Sequence, residues 1–157
     1  MPDFRLPPGS VIGILGGGQL GRMTALAAAR LGYQCHIFDP EPSGPAAQVA
    51  SAQTNAAFDD RDALDEFAAA IDVATYEFEN IPVDSIHHLL KQIPVRPGPE
   101  VLATAQDRIV EKAFLNSIDV PTAPHGEVQD VASLARAAAK IGLPAVLKTA
   151  ELGYDGK

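Results

Sequence analysis

The chain has 157 residues, 46% hydrophobic and 20% charged, enough for one domain with a real core and part of a second. Its 12 Lys and Arg against 20 Asp and Glu give a formal charge of -8, which excludes binding to nucleic acid or an anionic membrane by bulk electrostatics, so any phosphate must be held by local groups. One cysteine, Cys35, excludes an internal disulfide and a cysteine-built zinc site; no apolar run approaches a membrane span and the start lacks a signal-peptide layout, so the sequence reads as cytoplasmic.

Residues 1–10, rich in proline, read as an extended lead-in. Val11 to Leu15 is a short apolar run that stops at three glycines, as a buried parallel strand does. From Gln19 to Leu31 a helix is expected, with Leu20, Met23, Leu26, Ala27 and Leu31 at helical spacing and Gly32 as its left-handed stop. Gln34 to Phe38 is the second strand and ends at Asp39-Pro40, ahead of a turn-rich stretch. Helix at Asp62 to Ile71, strand at Val73 to Phe78, helix at Asp84 to Gln92 and a short strand at Pro94 to Arg96 continue the alternation. Such alternation implies an α/β domain with a parallel sheet over residues 11–98. After Pro97-Gly98-Pro99, the helices Glu100 to Ala105 and Asp107 to Asn116 form a connector over 99–119. Residues 120–157 then read as the incomplete opening of a second domain: an alanine-rich helix from Ser133 to Ile141, stopped by Gly142, and a strand at Ala145 to Lys148.

Chemistry concentrates at a few places. Gly16, Gly18 and Gly21 fit G-x-G-x-x-G between strand and helix, with Asp39 ending the next strand, which is the dinucleotide fingerprint. The glycines permit close backbone approach to a ligand, or merely tight strand-to-helix packing. In Tyr76-Glu77-Phe78-Glu79-Asn80-Ile81-Pro82, two carboxylates stand at the carboxyl end of a strand, and in an extended segment Glu77 and Glu79 share a face. Arg108 and Lys112, four apart beside Asp107 and Glu111, read from spacing alone as a solvated helix face. Lys148 ends an apolar run shortly before Gly153-Tyr154-Asp155-Gly156-Lys157, where a lysine can neutralise phosphate beside a glycine loop, yet the Walker spacing is absent. His36, His87, His88 and His125 have no metal-ligand spacing, and no serine lies in a nucleophile elbow.

Three segments in order carry a resemblance: Gly16-Gly17-Gly18-Gln19-Leu20-Gly21-Arg22-Met23, then Tyr76 to Pro82, then Asp107-Arg108 through Pro121-Thr122-Ala123-Pro124 to Lys148 and Gly153-Tyr154-Asp155-Gly156-Lys157. Together they resemble the ATP-grasp carboxylate–amine ligases, in particular the 5-(carboxyamino)imidazole ribonucleotide synthetase family of purine biosynthesis. The resemblance implies a Rossmann-like parallel-sheet pre-ATP-grasp domain followed by the start of an ATP-grasp domain. It implies a reaction in which ATP phosphorylates bicarbonate to carboxyphosphate and the amine of aminoimidazole ribonucleotide takes up the carboxyl group. By the same resemblance, Gln19, Leu20 and Glu77, with Tyr154 and Lys157, bind the ribonucleotide or bicarbonate, and Arg108, Lys148, Gly153, Tyr154, Asp155, Gly156 and Lys157 serve ATP. Family members run on for about as many residues again, so the chain is expected to be an amino-terminal portion, inactive alone, of a homodimeric enzyme. The catalytic residues and the ligands for Mg2+ are expected beyond it. Asp119 stands where relatives commonly place glycine, a turn position whose left-handed backbone Asp tolerates. The related formate-dependent glycinamide ribonucleotide transformylase typically has Glu where Gln19 stands and a serine-rich loop in place of Gly153 to Gly156. An NAD(P)-binding Rossmann domain and a non-catalytic folding or dimerisation module stay open as other readings.

Overall fold

The structure, a computed structural model, describes residues 5–152. Its contacts divide the chain into two compact units, the first ending at Leu102 and the second starting at Ala103.

In the first unit, β1 (Val11–Leu15), β2 (Gln34–Phe38), β3 (Ala52–Thr54) and β4 (Val73–Tyr76) form one parallel sheet in the order β3-β2-β1-β4. This is the α/β architecture expected from the alternation. Successive side chains of a strand face opposite ways, so each strand feeds two cores. Ile14, Cys35 and Ile37 pack with Ala25 and Ala28 of α1 (Gln19–Arg30) on one side. Leu15, Phe38 and Ala74 pack with Leu64 and Phe67 of α2 (Arg61–Ala69) and Ile86 and Leu89 of α3 (Val83–Leu90) on the other. Phe67 joins this second core together, lying edge-on to His36 at 5.0 Å and to Phe38 at 5.2 Å between ring centroids.

Helix α1 buries its small residues. Gly21, Ala25 and Ala28 face the sheet, while Leu20, Met23, Leu26 and Leu31, whose spacing signals the helix in the sequence, are between 46% and 68% exposed. Gly32 ends the segment at φ 83°, the left-handed stop its identity predicts.

Two strand expectations in this unit need correction. The fourth strand stops at Tyr76, and residues 77–79 bend away, so Glu77 and Glu79 do not share the face of an extended run. Pro94 to Arg96 contributes only an isolated parallel bridge, Val95 to Ala74. Strand β3 falls where the sequence signals no element, because three residues with no alternating pattern carry no strand signal and only pairing with β2 orders them.

In the chain order that follows, α4 (Pro99–Gln106) spans the division between units, and the second unit holds α5 (Arg108–Ser117) and α6 (Val131–Ile141). Asp107 caps α5 by accepting from the amides of Ile109 and Val110 at 2.7 and 3.2 Å, and Asp130 with Ser133 forms a capping box on α6. Asp119 sits at φ 60°, the left-handed turn expected there. Ala145 to Lys148, expected as a strand, is irregular, with Val146 79% and Leu147 66% exposed. A strand needs a paired neighbour to satisfy its backbone, and none flanks this run among the described residues.

Candidate functional site

The sheet register places the site. Leu15 pairs with Phe38 on one side and with Tyr76 on the other, so the chain leaves β1, β2 and β4 at one common carboxyl edge. Beta-1 connects to β2 on one flank while β4 lies on the other, which makes the β1/β4 boundary the topological switch point where open α/β sheets form their crevice. Gly16 to Gly18 follow β1 there, Asp39 follows β2 and Glu77 follows β4.

These residues interlock through the glycine turn. Gly16 has φ 107°, and a Cβ built on it would overlap Cγ of Glu77, so this position requires glycine on both conformational and steric grounds. The Gly18 amide donates to Glu77 Oε1 at 3.1 Å, and the Glu77 amide donates to the Leu15 carbonyl at 3.1 Å. The Gly17 amide donates to Asp39 Oδ2 at 2.5 Å, while Asp39 Oδ1 accepts from the Glu41 amide at 2.7 Å. On its other side the Gly17 carbonyl accepts from the Ala46 amide at 2.9 Å. Arg22 Nη1 pins that segment to α1 by donating to the Pro45 carbonyl and the Gln48 side chain at 3.0 and 2.8 Å. The turn therefore presents carboxylates where a dinucleotide site presents free amides. A pyrophosphate seated on it would meet Asp39 and Glu77, so the redox-dinucleotide reading is not favoured.

Gln19 and Leu20 open α1 directly after Gly18 and are exposed, which brings Gln19, Leu20 and Glu77 to the same edge. His36 is occupied structurally: Nε2 lies 2.9 Å from Thr54 Oγ1, and burial pushes its pKa down. Cys35 is buried, and that burial pushes its thiol pKa up, which suits an inert core thiol.

Within the second unit, Arg108 is tied to the segment after Lys148. Its amide donates to the Ala150 carbonyl at 3.0 Å, and its Nη1 donates to the Thr149 carbonyl at 2.9 Å. Arg108 and Lys148 both line an open cleft of about 660 Å³. Lys112, which spacing alone assigns to a solvated face, lines it as well. Gly153, Tyr154, Asp155, Gly156 and Lys157 lie outside the described residues. The role of Asp39 on the Gly17 amide has no counterpart in the sequence reading, because spacing shows that an acid ends β2 but not which donors it meets.

Residues 10–106 match the family described as the ribonucleotide synthetase preATP-grasp domain. The chain belongs to this family. Among relatives of this preATP-grasp chain, the N5-carboxyaminoimidazole ribonucleotide synthase of Brucella melitensis is 53% identical over 157 residues, covering 100% of this chain and 43% of that relative. The N5-carboxyaminoimidazole synthetase of Staphylococcus aureus, solved with ADP, superposes with a TM-score of 0.89 at 37% identity over 97% of this chain and 41% of that one. The Aspergillus clavatus synthase, solved with ADP and 5-aminoimidazole ribonucleotide, superposes with a TM-score of 0.82 at 29% identity over 93% and 40%. The preATP-grasp chain thus spans about two-fifths of the length of these relatives.

Proposed function

We propose that the full-length protein is an ATP-dependent carbon–nitrogen ligase of purine biosynthesis that carboxylates 5-aminoimidazole ribonucleotide to N5-carboxyaminoimidazole ribonucleotide. In this reading a bicarbonate oxygen attacks the γ-phosphorus of ATP, giving carboxyphosphate and ADP. The exocyclic amine of the ribonucleotide then attacks the carboxyl carbon and phosphate leaves. The observation that carries the reading is the Glu77 carboxylate, anchored on the Gly18 amide at the switch-point crevice with Gln19 and Leu20 beside it. One anchoring bond fixes the carboxylate while leaving acceptor capacity for ribose hydroxyls or the amine.

Residues 11–98 form the ribonucleotide-binding preATP-grasp domain, 99–119 the connector, and 120–157 the opening of the ATP-grasp domain. Lys148 serves as a compact positive charge for the polyphosphate, and Arg108, one N–H spent on Thr149, offers the rest of its planar fork. Gly153 to Lys157 are assigned to ATP, and Tyr154 and Lys157 also to the substrate, by sequence resemblance alone. Exclusion of water by a covering loop matters because carboxyphosphate hydrolyses readily. Among the described residues no group of three or more His, Cys, Asp or Glu could hold a metal ion, and by the family resemblance the magnesium ligands are assigned to the remainder of the full-length protein. No helix among them is long and apolar enough to cross a membrane. The family resemblance supports a cytoplasmic homodimer.

The test is ADP release by the full-length protein with ribonucleotide and bicarbonate varied separately. We expect release to require both, Glu77→Gln to raise the KM for the ribonucleotide, and Lys148→Ala to raise that for ATP. Release that does not respond to the ribonucleotide would overturn the assignment.

A further inference from the structure

We propose that Asp39 is a positioning residue for the ribonucleotide: by holding the Gly17 amide it sets the glycine turn on which Glu77 and Gln19 are aimed, and it does so without touching substrate itself. The inference rests on the function proposed above and deepens it.

The Gly17 and Gly18 amides are donated to two carboxylates from two different strands, Asp39 after β2 and Glu77 after β4. Neighbouring amides in one turn do not orient independently, so a shift of the Gly17 peptide moves the Gly18 N–H that anchors Glu77, and with it the start of α1 where Gln19 and Leu20 sit. Asp39 is itself held from three directions. Its Oδ1 accepts from the Glu41 amide at 2.7 Å, its amide donates to the Thr54 carbonyl at 3.1 Å, and its carbonyl accepts from Asn55 Nδ2 at 3.2 Å. It is therefore a rigid post between the second strand and the turn.

The geometry also makes the site acceptor-rich. With both amides satisfied internally, the turn carries the Glu77 carboxylate, whose Oε1 alone is engaged by the Gly18 amide and whose remaining acceptor capacity matches the hydroxyl and amine donors of a ribonucleotide. The aspartate that a dinucleotide fingerprint would aim at a ribose here has both carboxylate oxygens engaged by the Gly17 and Glu41 amides, and so organises the site at one remove.

The experiment uses the full-length protein with Asp39→Ala and Asp39→Asn, the second keeping one carbonyl acceptor. KM values for ribonucleotide and for ATP are measured from ADP release, and hydrogen exchange is followed over residues 11–20. We expect Asp39→Ala to raise the ribonucleotide KM about tenfold, the scale of one charge-assisted hydrogen bond, with kcat falling less and the ATP KM within about twofold. Asp39→Asn should fall between it and wild type, and amides 16–19 should exchange faster in Asp39→Ala while those of β1 do not. An unchanged ribonucleotide KM overturns the proposal, as does a parallel rise in both KM values with faster exchange throughout β1, which would mark general loosening. Unaltered exchange at 16–19 overturns it whatever the kinetics. Wild-type ADP release indifferent to the ribonucleotide would instead remove the functional reading and this inference with it, and needs no variant to detect.

Discussion

The coupling between Gly16 and Glu77 gives a quantitative test of how the crevice is built. Gly16→Ala puts a Cβ at φ 107° and into the Glu77 side chain. The left-handed backbone costs about 1–2 kcal/mol for a residue with a Cβ, and expelling Glu77 from the Gly18 amide costs about 1–2 kcal/mol more. The single variant should therefore lose about 2–4 kcal/mol, on the order of 10–20 °C in Tm for a unit of this size. Glu77→Ala alone removes the same hydrogen bond and should lose about 1–2 kcal/mol. In the double variant no carboxylate is left to expel, so its loss should match Gly16→Ala alone, about 2–4 kcal/mol, rather than the additive sum of about 3–6 kcal/mol. Urea unfolding of the 157-residue chain, followed by circular dichroism with scanning calorimetry as a check, measures all four corners of the cycle. Losses that add to within about 0.3 kcal/mol would show that the two residues do not share one space, and the account of the turn would be wrong.

Other consequences are open to equally direct measurement. Burial lowers the His36 pKa from its usual 6.5, so the unfolded chain takes up a proton before the folded one does; stability should be greatest above 6.5 and fall as pH drops through that value, and His36→Gln should flatten Tm between about pH 7.5 and 5.5. Asp65 accepts from Gln92 at 2.6 Å and pairs with His88, and the hydrogen bonds from His88 and then Gln92 hold its pKa below 3.8. Its contribution is therefore present above that value and lost below it, so Asp65→Asn should alter acid unfolding without touching the His36 window. Ser85 is 1% exposed and its Oγ finds no hydrogen-bond partner among the described residues, so Ser85→Ala should be neutral or raise Tm, and a loss above about 1 kcal/mol would reveal a partner. Phe67→Ala empties the meeting point of His36 and Phe38 and should cost about 3–5 kcal/mol in urea unfolding, whereas a loss below about 1 kcal/mol would mean that core closes without it.

Sequence carries the framework of this molecule further than its details. Apolar runs bounded by glycine and proline locate β1, β2 and the start of β4, and the G-x-G-x-x-G spacing locates the turn, because buried strands and tight turns restrict residue type strongly. Which face of α1 lies inward is not legible in that way: its leucines and Met23 set a helical period, but the sheet accepts only Gly21, Ala25 and Ala28 at close range. The end of β4 is misplaced by two residues because Glu77 and Phe78 look like strand, whereas the acceptor need of the Gly18 amide draws Glu77 out of it. Arg108 illustrates the opposite limit. Spacing makes it a solvated surface residue, and only the fold shows it spanning 41 positions to the Thr149 carbonyl.

The fit of α1 against the sheet by its smallest residues ties evolvability to packing. Growth by a single methyl at Gly21 would strike the Gly16 carbonyl at 2.5 Å and lever the helix outward, carrying its leading turn off the crevice rim. A one-methyl change at a position assigned no contact of its own would thus detune recognition by displacing its neighbours Gln19 and Leu20.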